Sequence, residues 1–332
     1  MSKKRLGTVL LAGMVTALLL GACGTSNTDS KVSEADNGVE IHIAVQPGIS
    51  EFVLNDSQQL IEKEFEGENV KIIYDTFTGG PAIMEAIAAG DVDFTITGDV
   101  PVLSAVGNGN EVVGIYRCAW DPDEEQVLAL PASGISSVDD LIGKKIGLAF
   151  GSANHSFFIQ LLQQKGYSTN DVELLNIAPT DLEISLQQGN IDAGVIQEGS
   201  ASIIKNVIGA EMVASTDGVC ESLKIFSVRK GFAEKYEDYT VRMVKALIYL
   251  DQYTIDNPAE VKKLLAESNN NSVEDWESVD RYVFKGNFDE KAIENARKSI
   301  EFLKDNKSIQ EIYDANKAFD NSYYERALEL EE

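Results

Sequence analysis

Two histidines, His42 and His155, and three cysteines, Cys23, Cys118 and Cys220, are the soft metal ligands of this 332-residue chain. They stand far apart in sequence, and no zinc-type constellation can be assembled from their spacing. No nucleophile–base spacing stands out, so no catalytic residue is expected, and the reading calls for no metal or cofactor. What remains is recognition chemistry. Three glycine-bearing loops precede stretches of helical pattern: Thr78-Gly79-Gly80, Gly98-Asp99 and Gly151-Ser152-Ala153-Asn154. A helix start carries unpaired N–H groups and a partial positive charge, so it receives an anion without needing a lysine. Glycine lets backbone approach a ligand closely, and the Thr78 and Ser152 hydroxyls can donate. The same residue types are also preferred helix N-caps, and that plainer role stays open for each. Two carboxylates, Asp99 and Glu198, would suit a cation. Asp99 has an N-cap reading as well; Glu198 has less of an alternative. His155 falls in the first turn of a helix, where capping or packing competes with ligand contact. Tyr116, Trp120 and Phe52 fit either a cleft wall or a core.

The elements that must position these residues alternate. Val39 to Gln46 alternates apolar and polar residues before Pro47-Gly48, which reads as a strand ending in a loop. Val70 to Phe77 is a strand, and Pro81 sits in the first turn of the helix that follows, where its missing N–H is harmless. That helix stops at Gly90. Asp93 to Thr97, Val112 to Arg117 and Gln126 to Leu130 read as further strands. A second round runs from Lys145 through strands at Asp171 to Ile177 and Ile191 to Ile196. Glu221 to Val228 reads as a last strand, and from Phe232 the chain is nearly all helical. Strands alternating with short helices predict an α/β fold with a parallel sheet and helices on its faces. The two rounds look alike. Glu85 to Phe94 matches Ile184 to Ala193 at an offset of 99 residues, which also pairs Asp99 with Glu198. A repeated lobe and ordinary α/β punctuation both explain this.

The N-terminus reads as a targeting segment. Lys3, Lys4 and Arg5 precede an apolar run too short for a comfortable membrane span. Leu20-Gly21-Ala22-Cys23 resembles a bacterial lipobox, with Cys23 as the lipidated thiol. Gly24 to Asn37 is small and polar, which predicts a flexible tether. Loss of the leader removes those three basic residues and takes the formal net charge from −26 to −29. So acidic a chain argues against nucleic acid as partner and against spreading on an anionic membrane. The charge says nothing direct about a ligand held in a recessed site.

In order, Gly79-Gly80-Pro81 with Glu85-Ala86, Gly90-Asp91-Val92-Asp93-Phe94, Thr97-Gly98-Asp99-Val100-Pro101, Leu141 to Ile146, Gly151-Ser152 with His155, and Gly189-Asn190-Ile191-Asp192-Ala193 resemble the aliphatic-sulfonate, taurine and nitrate binding proteins of ABC importers. The likeness covers about Ile41 to Phe226 well and the helical last third loosely. It implies a two-lobed, type II periplasmic-binding-protein-like fold with the ligand cleft between lobes joined by crossover strands. The expected division is residues 1–22 as lipoprotein signal peptide, 23–38 as tether, 39–133 with 221–332 as one lobe and 134–220 as the other. Ligands in such sheets sit beyond the carboxyl ends of strands, which adds Gln46 and Asp181 to the candidates. Cys118 and Cys220 then fall near the hinge and are candidates for a disulfide. The implied role is capture of a small anionic or zwitterionic solute, such as a taurine-like sulfonate, for an ABC permease and ATPase. The chain would be held on the extracytoplasmic face of the cell membrane by lipid on Cys23. A thiamine-precursor (pyrimidine) binding or synthesis protein of the same fold is the alternative, although the cysteine-rich run of that branch is missing. The chain departs from many sulfonate-binding relatives at Gln197-Glu198-Gly199, where they carry an aromatic run. This suggests a ligand ammonium held against Glu198, helped by Asp99.

Overall fold

The computed structural model describes residues 38–46 and 49–330; the leader, Cys23 and the tether lie outside them. The chain lays down β1 (Val39–Val45), α1 (Ser50–Gln58), α2 (Leu60–Lys63), β2 (Val70–Thr76), α3 (Gly80–Ala89), β3 (Phe94–Gly98), α4 (Asp99–Gly107) and β4 (Val112–Arg117). It then crosses to a second layer of β5 (Glu125–Ala129), β6 (Lys145–Leu148), α5 (Ala153–Gln164), β7 (Glu173–Asn176), α6 (Leu182–Gln187), β8 (Ala193–Gln197), α7 (Glu198–Ile208) and β9 (Glu211–Ser215). Finally it returns through β10 (Lys224–Arg229) to α8 (Lys230–Lys235), α9 (Glu237–Asp256), α10 (Pro258–Asn269), a 3-10 segment over Val273–Arg281, α11 (Glu290–Asp305) and α12 (Ser322–Glu329).

Two five-stranded sheets result, ordered β2-β1-β3-β10-β4 and β7-β6-β8-β5-β9. In each, the first three strands are parallel and the fourth runs antiparallel to its neighbours. The two sheets therefore share one plan, as the 99-residue offset suggested. The aspartates of the matched segments do the same work in both. His42 N–H donates to Asp93 Oδ2 at 3.0 Å, and Lys145 N–H donates to Asp192 Oδ2 at 2.8 Å. The aspartate amides return the bond, to His42 O and Lys145 O, both at 2.8 Å. A short carboxylate placed one residue before β3 or β8 thus locks each central strand onto its parallel neighbour.

One expected boundary is corrected. The strand after residue 124 was placed in the first lobe, which was to end at residue 133. Instead β5 bonds to β8 and β9 in the second sheet. The chain crosses before this strand, over residues 118–124.

β3, β5 and β8 are buried along nearly their whole length, as central strands covered on both faces should be. The C-terminal helices supply the cover of the first sheet. α9 presents Val241, Val244, Leu247 and Leu250 at helical spacing to Ile43, Phe94 and Phe226. On the other face α3, α4 and α11 pack around Ile83, Leu103 and Ile300. Ile159 of α5 joins that cluster, so the second sheet's helix touches the first sheet's core. Among the described residues no helix is long and apolar enough to cross a membrane.

Candidate functional site

Four helix starts converge where the sheets face each other. β3 runs directly into α4 at Gly98, and β8 into α7 at Gln197. α3 begins at Gly80 and α5 at Ala153, after the N-cap Ser152. These ends line one cavity of about 80 Å³, together with Gln46, Thr97, Glu124, Glu125, Asn154, Ser222 and Lys224. Glycine is required at two of the starts because neighbouring side chains come so close. A Cβ on Gly98 would lie 2.9 Å from the Ala153 Cβ of the opposite sheet, and one on Gly80 would run into the Pro101 ring.

Of the residues singled out in the sequence, Gln46, Gly80, Gly98, Ser152 and Asn154 come together here. Gln46 Nε2 donates to Ile96 O at 3.3 Å. Ser152 caps α5: its hydroxyl accepts from His155 N–H at 3.4 Å and donates to Ala149 O at 2.7 Å. Asn154 is 7% exposed, and its Oδ1 is buried without a donor.

The others lie elsewhere. Thr78 is exposed and Gly79 half-buried ahead of α3, and neither lines the cavity. Asp99 is the first residue of α4 and turns toward α11, where it accepts from Ser299 Oγ and from Val100 N–H. Burial pushes its carboxyl up to about 6. Tyr116 is core, and its hydroxyl donates to Asp251 at 2.5 Å. His155 accepts the Gly151 N–H on Nδ1 at 3.3 Å, stacks on Phe150 and meets the edge of Phe302. Burial lowers its pKa, which fits a neutral packing role. Asp181 is exposed. Phe52 packs edge-on against Tyr74, and Trp120 lies 3.6 Å under the Arg117 guanidinium.

Glu198 departs most from expectation. It is the first residue of α7 and is 5% exposed. Its Oε1 accepts from Ser202 Oγ at 2.8 Å, one helical turn on, and its Oε2 accepts from Gln126 Nε2 with Lys205 Nζ 4.0 Å away. Both oxygens are engaged inside the second sheet's own layer, so the ammonium role expected of Glu198 is corrected. The disulfide is corrected too: Cys118 and Cys220 are free thiols. Cys118 is sealed in the first sheet's core, and Cys220 packs against the second sheet's.

Sequence reasoning missed the charged groups that do line the cavity. Lys224 is 9% exposed at the start of β10, its Nζ 3.0 Å from Glu51 Oε1 and 3.5 Å from Ser50 Oγ. Burial works against its charge, but Glu51 and Glu124 outweigh it and hold the ammonium above the usual lysine range. Glu125 Oε1 accepts from Ser222 Oγ at 3.0 Å, and burial reinforced by Glu124 drives its carboxyl well above the ordinary value. Burial raises Glu124 to about 7 against the pull of Lys224. A signal existed for the lysine: it stands between the apolar residues Leu223 and Ile225, at a strand start that is buried.

Two similar α/β sheets, facing across a cavity walled by helix starts, define a two-lobed protein with the periplasmic-binding-protein fold. Residues 64–269 match the family model described as NMT1/THI5 like, and the chain belongs to that family. It is 26% identical over 258 residues to an aliphatic sulfonates-binding protein of Escherichia coli (strain K12), covering 77% of this chain and 80% of that one. A Bacillus subtilis (strain 168) protein of the same designation is 25% identical over 335 residues, with 97% of each chain covered. Among solved structures, the alkanesulfonate-binding protein SsuA from Xanthomonas axonopodis pv. citri superposes with a TM-score of 0.76 at 21% identity, covering 85% of this chain and 98% of that one.

Proposed function

We propose that this protein captures a small anionic or zwitterionic organic solute, such as a taurine-like sulfonate, outside the cytoplasm and hands it to an ABC permease and its ATPase. In this reading Cys23 carries the lipid that ties the chain to the cell membrane, and the protein performs no chemistry on its ligand. One observation carries the proposal: four helix starts and the buried ammonium of Lys224 meet in a single cavity between the two sheets. The N–H groups of a first helical turn have no partner within the helix. Aimed into a poorly solvated space, they stabilise an anion with little cost in reorganisation. The names of the curated relatives make sulfonate the anion to try first.

Calorimetry on the soluble domain from Gly38 onward, against short sulfonates, tests this. A bound sulfonate at one hundred times its Kd should stabilise the fold by about 2.7 kcal/mol. Lys224→Met should weaken that ligand at least tenfold, because it removes the one ammonium that lines the cavity among the described residues. Equal affinity in wild type and Lys224→Met would remove the anion from this cavity.

A further inference from the structure

The cavity holds an acceptor that no described residue serves, and a carboxylate with it. Lys224, its one lining ammonium among the described residues, is already paired with Glu51. Glu125 is taken up by the Ser222 hydroxyl. Glu124 is different. Its Oε2 accepts the Asp121 N–H at 3.1 Å, and its carboxylate lines the cavity. Its backbone is fixed in place, since Glu198 N–H donates to Glu124 O at 2.6 Å. Across the cavity, on α5, Asn154 Oδ1 has no donor among the described residues, on a side chain more than nine-tenths buried. A ligand that is only an anion would add acceptors to this set and set a second negative charge against Glu124. A buried acceptor left without a donor costs its full desolvation.

We propose that the ligand also carries a protonated amine, and that Glu124 with the Asn154 carbonyl reads it while the acid group lies on the helix starts. The proposal rests on the capture reading above and assigns Glu124, not Glu198, as the specificity-determining carboxylate. An ammonium brings three donors and a positive charge, which suit the Glu124 carboxylate and the unserved Asn154 Oδ1. The surroundings of Glu124 agree. Burial raises it to about 7, with Lys224 of β10 lowering it and Asp121 of the crossover and Glu198 of α7 raising it. An ammonium at Oε1 would favour the ionised form.

The test compares matched pairs by calorimetry: 2-aminoethanesulfonate with ethanesulfonate, and β-alanine with propionate. Wild type, Glu124→Gln and Asn154→Leu are each measured. The expected result is at least a tenfold preference of wild type for the amine-bearing partner, lost in Glu124→Gln and reduced in Asn154→Leu. Glu124→Gln should bind the des-amino partner at least as tightly as wild type does, because a like charge is removed, and that binding also shows that it folds. If only the β-alanine pair binds, with the preference intact, the sulfonate reading falls and the amine reading stands. The amine reading is overturned if the des-amino partner binds wild type as tightly, if the preference survives both substitutions, or if no member of either pair binds.

Discussion

At the scale of single residues, position on a helix decided which carboxylates face the ligand. Asp99 and Glu198 occupy equivalent places after β3 and β8, and both were natural candidates for a cation. Each, however, is the first residue of its helix, not a residue of the loop before it. A side chain there either reaches the ligand or bonds to side chains of its own lobe, and these do the second. Glu198 holds Ser202, Gln126 and Lys205 together within the second sheet's layer. Its replacement should therefore be felt in stability and not in selectivity. Glu198→Gln is expected to cost about 1–2 kcal/mol, since a charge-assisted pair and a hydroxyl bond in a buried site are weakened. The ratio of affinities for 2-aminoethanesulfonate and ethanesulfonate should not change. Urea unfolding and calorimetry on one variant separate the two. A collapse of the ratio with stability unchanged would return Glu198 to the ligand.

At the scale of elements, the site depends on how closely the two layers meet. Gly98, ending β3, faces Ala153, opening α5, with no room for a Cβ between them. Gly98 has φ near −65°, so an alanine there is not strained by its own backbone. Only the neighbour across the cleft objects. Gly98→Ala should then prop the layers apart and weaken ligand at least tenfold, while barely changing the stability of either sheet. Ala153→Gly in the same chain should restore much of the affinity, because it removes the atom that the new methyl meets. No rescue by the second substitution would mean that closure does not bring these two residues together. The elements themselves were legible from sequence wherever pattern is local. The strands apart from β9, which sequence reasoning missed, the glycine- and proline-marked helix starts and the helical last third follow from periodicity and turn residues. The layer to which β5 belongs did not follow. Asp121-Pro122-Asp123 reads as an ordinary turn, and only hydrogen bonding to β8 and β9 makes it the crossing between sheets. The same limit hid the charged part of the site. Glu124 and Lys224 lie 100 residues apart on the outward and return crossings, and no periodicity within a window relates them. The backbone part, Gly80, Gly98 and the loop before Asn154, was visible because close approach leaves glycine and small residues behind.

At the scale of the whole molecule, buried acids and net charge act in the same direction. Asp99 is raised to about 6, and Glu124 and Asp251 to about 7, in each case chiefly by burial. Glu125 is raised further. An acid whose folded pKa exceeds its unfolded value binds more protons when folded. Between the two values the folded state gains as pH falls, and above the folded value the cost of the buried charge is fully present. The three groups with values place this window between about pH 4 and pH 7. The formal charge of −26 adds self-repulsion that protonation relieves over the lower part of the same range. The unliganded domain from Gly38 onward is therefore expected to melt at a higher temperature at pH 5.5 than at pH 8. An amine-bearing ligand reverses the dependence at one site, because it pairs with ionised Glu124 and binds more tightly as pH rises through about 7. The stabilisation by 2-aminoethanesulfonate should then be larger at pH 8 than at pH 5.5, although the unliganded protein is weaker there. Glu124→Gln should flatten the ligand's pH dependence and leave Asp99, Glu125 and Asp251 to set that of the empty protein. Melting curves at both pH values, with and without ligand, read both effects. An unliganded protein that melts higher at pH 8 would show that these carboxyls are not raised, and would leave Glu124 ionised across the whole range.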